Sequence, residues 1–201
     1  MPMSKYQQAI KKRSFLRFLL GLIPRYKNYL INSYITSLAR RRGAVIGSCV
    51  TMPYQLAKYA NANLTVGDHT SIQTSNIDLR AKVKIGSHVI IGADVQILTV
   101  SHEIDSPDWE QKPYGLKIAD YSWLATRTFV LPSCTEIGYG AVCAAGSVIA
   151  KNVREMAVMT GNPAIMLRER RQVHSNLFVE SQLGNDFEAY IEAYRIGHAS
   201  N

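Results

Sequence analysis

The sequence predicts a mainly β chain, a parallel β-solenoid with helical segments at its ends, on three observations. Large aliphatic residues recur every six positions, as Leu79, Ile85, Ile91, Ile97, then Ile118, Leu124, Val130, then Ile137, Cys143, Ile149. Four residues after these anchors come small or β-branched residues, such as Val83, Val89, Val95, Ser122, Thr128, Cys134, Ala141, Ser147 and Val153. Glycine directly follows Ile46, Val66, Ile85, Ile91 and Ile137, where a corner is expected to be tight. Two inward positions per six residues describe short flat strands separated by corners, three to a coil. Each coil has unpaired backbone edges and apolar ends that only the next coil can cover. Helices of an α/β domain have little room between residues 44 and 155, where β-branched residues dominate.

The elements follow in chain order. With 201 residues, 47% of them hydrophobic, one domain with a sizeable core is expected. Residues 1–43 form a basic helical segment, which Pro24 is expected to divide into two stretches. The apolar run from Phe15 to Ile23 is broken by Arg17 and falls far short of the roughly 20 residues that span a bilayer. No small-residue cleavage site follows it, so the segment is read neither as a transmembrane helix nor as a signal peptide. Tyr26, Tyr29, Leu30, Tyr34 and Leu38 share one helical face. That pattern suits an amphipathic element on an anionic membrane surface, and equally a cap packed on the rest of the protein.

The solenoid covers residues 44–168, with weaker repeats at Ile46 and Val66. Ile72 to Leu79 and Val130 to Ile137 each step by seven, so a one-residue bulge is expected at both places. Ile97 and Ile118 stand 21 residues apart, three more than a coil, which makes 98–117 an inserted loop. Residues 169–201 are expected to be a helical extension. Cys49, Cys134 and Cys143 are odd in number and lie among apolar or small residues, as reduced thiols of a cytoplasmic protein do. The net charge of +8 favours a phosphate-bearing ligand or an anionic membrane face, though basic charge also serves solubility alone. No nucleic-acid partner is expected.

The pattern [Ile/Leu/Val]-Gly-x-x-[small]-x resembles the hexapeptide repeat of left-handed β-helix acyltransferases. "VCAAGSVIAKNVREMAVMTGNPAIMLR" resembles the C-terminal signature of their sugar O-acetyltransferase branch, which includes galactoside, maltose, nodulation and polysaccharide-biosynthesis acetyltransferases. The left-handed coil is what the resemblance implies, since period alone leaves the hand open. It also implies acetyl-CoA as co-substrate, no metal, a homotrimer with active sites between subunits, and a sugar hydroxyl as acceptor, in surface polysaccharide or lipopolysaccharide synthesis.

The repeat breaks at a histidine. His102 opens the 98–117 loop, and His102-x-x-Asp105 matches the family's catalytic motif. An alcohol must lose a proton as it attacks a thioester, and imidazole titrates nearest working pH. Glu103 and Asp105 are candidates to orient His102, although a backbone carbonyl would serve as well. Asn76 and Asp78, in the irregular step, are candidates for the acceptor. The resemblance places Trp123 near acceptor and thioester, with Ala125 and Thr126 beside it. It places Ala144, Ala145, Gly146 and Ser147 along the pantetheine, Lys151 near the phosphates, and Pro163 and Arg168 at the turn past the adenine.

Other readings stay open. An N-acetyltransferase acting on an amino sugar needs the same donor site, and a non-catalytic scaffold needs only the coil. His69 and His88 each follow an anchor by three residues and are expected to stack about 4.8 Å apart on successive coils. With His102 they would make a zinc set of the carbonic-anhydrase kind.

Overall fold

The computed structural model describes residues 5–173 and 185–198. Three ladders, parallel except for the final pair of strands, form the three faces of a coil. The first face holds β1 (Val45–Ile46), β2 (Leu64–Val66), β4 (Val83–Ile85), β9 (Leu116–Ile118) and β12 (Glu136–Ile137). The second holds β3 (Ser71–Ile72), β5 (Ile90–Ile91), β10 (Trp123–Leu124), β13 (Val142–Cys143), β15 (Ala157–Gly161) and β16 (Ala164–Glu169). The third holds β6 (Gln96–Ile97), β11 (Phe129–Val130) and β14 (Val148–Ile149). Anchors stack directly in register: Val66, Ile85, Ile118 and Ile137 on one face, Ile72, Ile91, Leu124 and Cys143 on the next. Every one of them is at most 2% exposed, so the anchors form a single core along the coil axis.

The structure corrects the expected register at one step. Ile77, not Leu79, bridges Ile97, because Asn76 accepts the Ile97 N–H at 3.0 Å and Asp78 donates to the Ile97 carbonyl at 2.9 Å. The step from Ile72 to Ile77 is thus one short and the step from Ile77 to Ile85 two long, and the excess falls where the Asp78 carboxylate accepts the Arg80 N–H and turns the chain. At the C-terminal end Val153 bridges Ile137, and so takes an anchor's place rather than that of a small inward residue.

The glycines have a different cause from the expected tight corner. The left-handed corners fall three residues after an anchor, at Cys49, His69, His88, Asp94, Tyr121 and Arg127, with φ between 50° and 61°. The glycines directly after the anchors lie where the neighbouring coil's backbone crowds in. A Cβ on Gly67 would stand 2.7 Å from the Gly86 carbonyl carbon.

Helices close the N-terminal end. α1 (Lys5–Lys11) leads to α2 (Phe15–Arg41), which runs unbroken through Pro24. The division expected at Pro24 does not occur, because tertiary contacts outweigh its lost hydrogen bond. Arg25 donates to the Gly21 carbonyl and pairs with Asp186, each at 2.9 Å. Phe18 stacks on Tyr190 and Tyr194 of the C-terminal helix, residues Phe187–His198. At its other end α2 buries Ala39 against the coil, and α3 (Tyr54–Tyr59) fills the first coil's missing third side with Leu56 and Ala57. We number the C-terminal helix α4. The expected helical extension 169–201 is helical only over Phe187–His198: Glu169 closes β16, 170–173 and 185–186 are not helical, and 174–184 and 199–201 lie outside the described residues.

Candidate active site

Residues 98–117 fold into an antiparallel hairpin, β7 (Val100–His102) against β8 (Gln111–Pro113), and not an irregular loop. His102 ends β7 and is exposed. Its Nδ1 lies 2.6 Å from the Trp109 carbonyl oxygen. A carbonyl can only accept, so Nδ1 carries the proton and the Nε2 lone pair of the neutral ring is left to act as a base. Trp109 takes φ 50°, a conformation that costs a bulky residue on the order of 1 kcal/mol, which the charge-free but short hydrogen bond helps offset.

Neither carboxylate beside His102 is the partner of its ring, which is the Trp109 carbonyl. Glu103 pairs with Lys112 across the hairpin at 3.2 Å, and Asp105 lies exposed in the turn. Asp78 holds the hairpin's base: its carboxylate accepts from the Arg80 backbone and guanidinium, and from the Thr99 N–H at 3.2 Å. Partial burial opposes ionisation of Asp78, but these donors outweigh it and bring the carboxyl down to about 2. Asn76 is exposed, its N–H given to the Thr74 hydroxyl at 3.1 Å.

A groove of about 620 Å³ runs along the second face. Trp123, Ala125, Thr126, Ala144, Ala145 and Arg168 all line it. Alanines there leave the backbone within reach of a long amide-bearing ligand, and Arg168 supplies a cation, so the residues present fit a CoA thioester. Gly146, beside the groove, has φ +71° and open space where a Cβ would project. Ser147 is buried, and its hydroxyl donates to the Ala144 carbonyl at 2.6 Å, fixing the corner rather than facing outward. Lys151 and Pro163 do not line the groove. Pro163 sits in the turn between β15 and β16, and Lys151 just past the third face.

Sequence reasoning missed Gln73, Ile90, Gly92, Val142 and Val158, which complete the lining. The signal was present: Ile90, Val142 and Val158 pair in register with Trp123 or with one another on the outer surface, where the first face carries Lys84, Lys117 and Glu136. Apolar residues one place before an anchor mark a face built for a ligand.

The rings of His69 and His88 stack at 5.0 Å, close to the spacing expected, and Tyr121 continues the stack at 4.7 Å from His88. This column lies between the first and second faces, whereas His102 lies between the third and first. Within one chain the three histidines do not converge, and no group of three metal-ligating side chains occurs among the described residues.

Stacked hexapeptide coils, a histidine on an inserted hairpin and a small-residue groove define the class, a left-handed β-helix acetyltransferase that uses acetyl-CoA. No protein-family model matches the sequence. A protein of Escherichia coli K12 named as a colanic acid biosynthesis acetyltransferase, WcaF, is 33% identical over 134 residues, 66% of this chain and 73% of that one. A galactoside O-acetyltransferase of Lactococcus lactis is 34% identical over 115 residues, 55% of this chain and 49% of that one. Among solved structures, a hexapeptide-repeat acetyltransferase from Vibrio cholerae aligns over 84% of this chain and 95% of its own, with TM-score 0.60 and 25% identity. The same Vibrio protein complexed with acetyl-CoA aligns with TM-score 0.57 and 27% identity, over 76% and 88%. The chain belongs to the hexapeptide-repeat acetyltransferases, in their sugar O-acetyltransferase branch.

Proposed function

We propose that the protein O-acetylates a sugar in surface polysaccharide biosynthesis, with His102 as general base. The observation that carries this reading is the hydrogen bond from His102 Nδ1 to the Trp109 carbonyl, which sets the tautomer the chemistry needs. The acetyl group arrives as a thioester. Nε2 takes the proton of the acceptor hydroxyl as its oxygen attacks the thioester carbonyl carbon. When the C–S bond breaks, the imidazolium returns that proton to the leaving sulfur. Trp123, Ala144, Ala145, Gly146 and Arg168 hold the donor.

The working unit is a homotrimer. The hairpin leaves the coil between the third and first faces, opposite the second face where the groove lies, so one chain cannot bring base and donor together. A neighbour must supply the other half. Contact of residues 1–43 with the inner face of the cytoplasmic membrane belongs to the same reading; no helix among the described residues is long and apolar enough to cross a bilayer.

His102→Ala should lower acetyl transfer by roughly two to four orders of magnitude while acetyl-CoA still binds, because the groove is built without the histidine. His69→Ala and His88→Ala should be mild. Turnover by His102→Ala near that of the parent protein would defeat the mechanism. Mass spectrometry of a glycan panel incubated with acetyl-CoA identifies the acceptor, and product formed only on amines would replace O- by N-acetylation.

A further inference from the structure

Helix α2 turns its apolar side away from the protein. Between Phe15 and Tyr34 nine large apolar residues are exposed, and at 100° per residue they fall on one stripe. Leu16, Leu20, Ile23 and Leu30, at 67, 61, 69 and 49% exposure, run along it. The stripe is about 28 Å long at 1.5 Å per residue. On the inward side Asn32, Ser33, Thr36 and Arg40 line a polar cavity against the first coil. Phe18, Leu22, Ile35, Leu38 and Ala39 already provide the inward apolar contacts a cap needs, so the exposed stripe is in excess of that role.

The stripe is held outward by what packs behind it. Phe18 is wedged against Tyr190 and Tyr194, Arg25 is tied to Asp186, and Ala39 is fully buried. Charge says what covers it. Residues 1–43 hold ten Lys and Arg and no Asp or Glu, while the rest of the chain holds 13 basic against 15 acidic residues. The protein's positive charge is therefore concentrated in this segment. Lys11, Lys12 and Arg17 stand exposed towards one end of the stripe, Lys27 beside its middle, and Arg41 and Arg42 beyond the other end.

We infer that α2 lies in the plane of an anionic phospholipid surface, with Leu16, Leu20, Ile23 and Leu30 seated among the acyl chains and the flanking cations on the headgroups. This rests on the membrane-contact part of the proposed function and names the lipid class and the face. The helix lacks the unbroken apolar length to cross, yet it presents a preformed apolar strip rimmed by positive charge, which suits the interface between water and lipid. The chain's own acidic cluster, Asp105, Asp108 and Glu110 at the exposed hairpin tip, spans only six residues and does not match cations spread along the whole stripe, so a second copy is the poorer cover.

The test uses the full chain and phosphatidylcholine vesicles with and without phosphatidylglycerol. Binding should require phosphatidylglycerol and weaken as salt rises. The double variant Leu20→Glu/Ile23→Glu should bind such vesicles roughly tenfold or more weakly, with acetyl-CoA affinity and oligomeric mass unchanged. Salt-insensitive binding, no binding by the parent chain, or binding by the double variant equal to the parent's would overturn the inference. So would a change of oligomeric mass in the double variant, which would mark the stripe as a contact between copies. Failure of catalysis is separable: His102→Ala with full turnover and intact vesicle binding would sink the acetyl-transfer mechanism and leave the lipid surface standing.

Discussion

Asp78 shows how a side chain in the irregular step of the coil can serve a site it does not enter. Its carboxylate joins Arg80 to the Thr99 N–H, one residue before the strand that carries His102. We read it as a positioning residue. Its carboxyl is held well below the ordinary carboxylate range, down to about 2, so the tie contributes stability above about pH 4 that is lost as pH falls through 2. Asp78→Asn should cost on the order of 1 kcal/mol at neutral pH, a gap that closes on approaching pH 2. Turnover should fall with the loosened hairpin while acetyl-CoA affinity holds. Melting curves over a pH series check this, and a gap independent of pH would refute it. His102 was legible because the repeat breaks there, whereas its partner was not, since a backbone carbonyl leaves no mark in the residue type.

For the elements, a six-residue period determines where a strand stands but not what crowds its ends. Two glycines separate these effects. Gly67 has no left-handed φ, but its missing Cβ makes room for the Gly86 carbonyl carbon at 2.7 Å. Gly67→Ala should therefore cost about 1–3 kcal/mol by overpacking and lower the melting temperature, with acetyl-CoA affinity spared in the folded protein. Gly146 has φ +71° and nothing within 4 Å of the Cβ position. Gly146→Ala should cost only about 1 kcal/mol of backbone strain and weaken acetyl-CoA binding more than stability, since the methyl enters the donor's side of the corner. Calorimetry of unfolding and of ligand binding on both variants checks the pair, and equal ligand effects would refute the distinction. The continuous α2 belongs to this scale too: proline's local preference predicts a break, and Tyr190, Phe18 and Asp186 override it.

The coil is a three-faced prism with His102 at one corner and the groove lined by Trp123 and Ala144 on the opposite face. Light scattering should give about three times the 22.4 kDa chain. Co-expressed His102→Ala and Ala144→Trp chains should recover activity that neither has alone, because a mixed trimer contains sites assembled from one intact half of each. An active monomer, or co-expression without recovery, would remove the shared site. Light scattering of the glycine variants would also show whether overpacking one coil disturbs assembly.

By itself the sequence determined the coil, because stacking demands a large inward residue every six positions and nothing else produces that period. The family resemblance marked Trp123, Ala125, Thr126, Ala144, Ala145 and Arg168 for the donor, and these six line one groove because small or distinctive side chains recur on the same face of successive coils. Tertiary structure alone decided three things: that Ile77 rather than Leu79 stacks on Ile97, although both are buried, that Nδ1 of His102 meets a carbonyl seven residues away, and that an apolar stripe of α2 faces out. Each depends on which of several chemically equal options the packed neighbours leave open. A helical pattern states that one side is apolar, and only the neighbours packed against the other side state where it points.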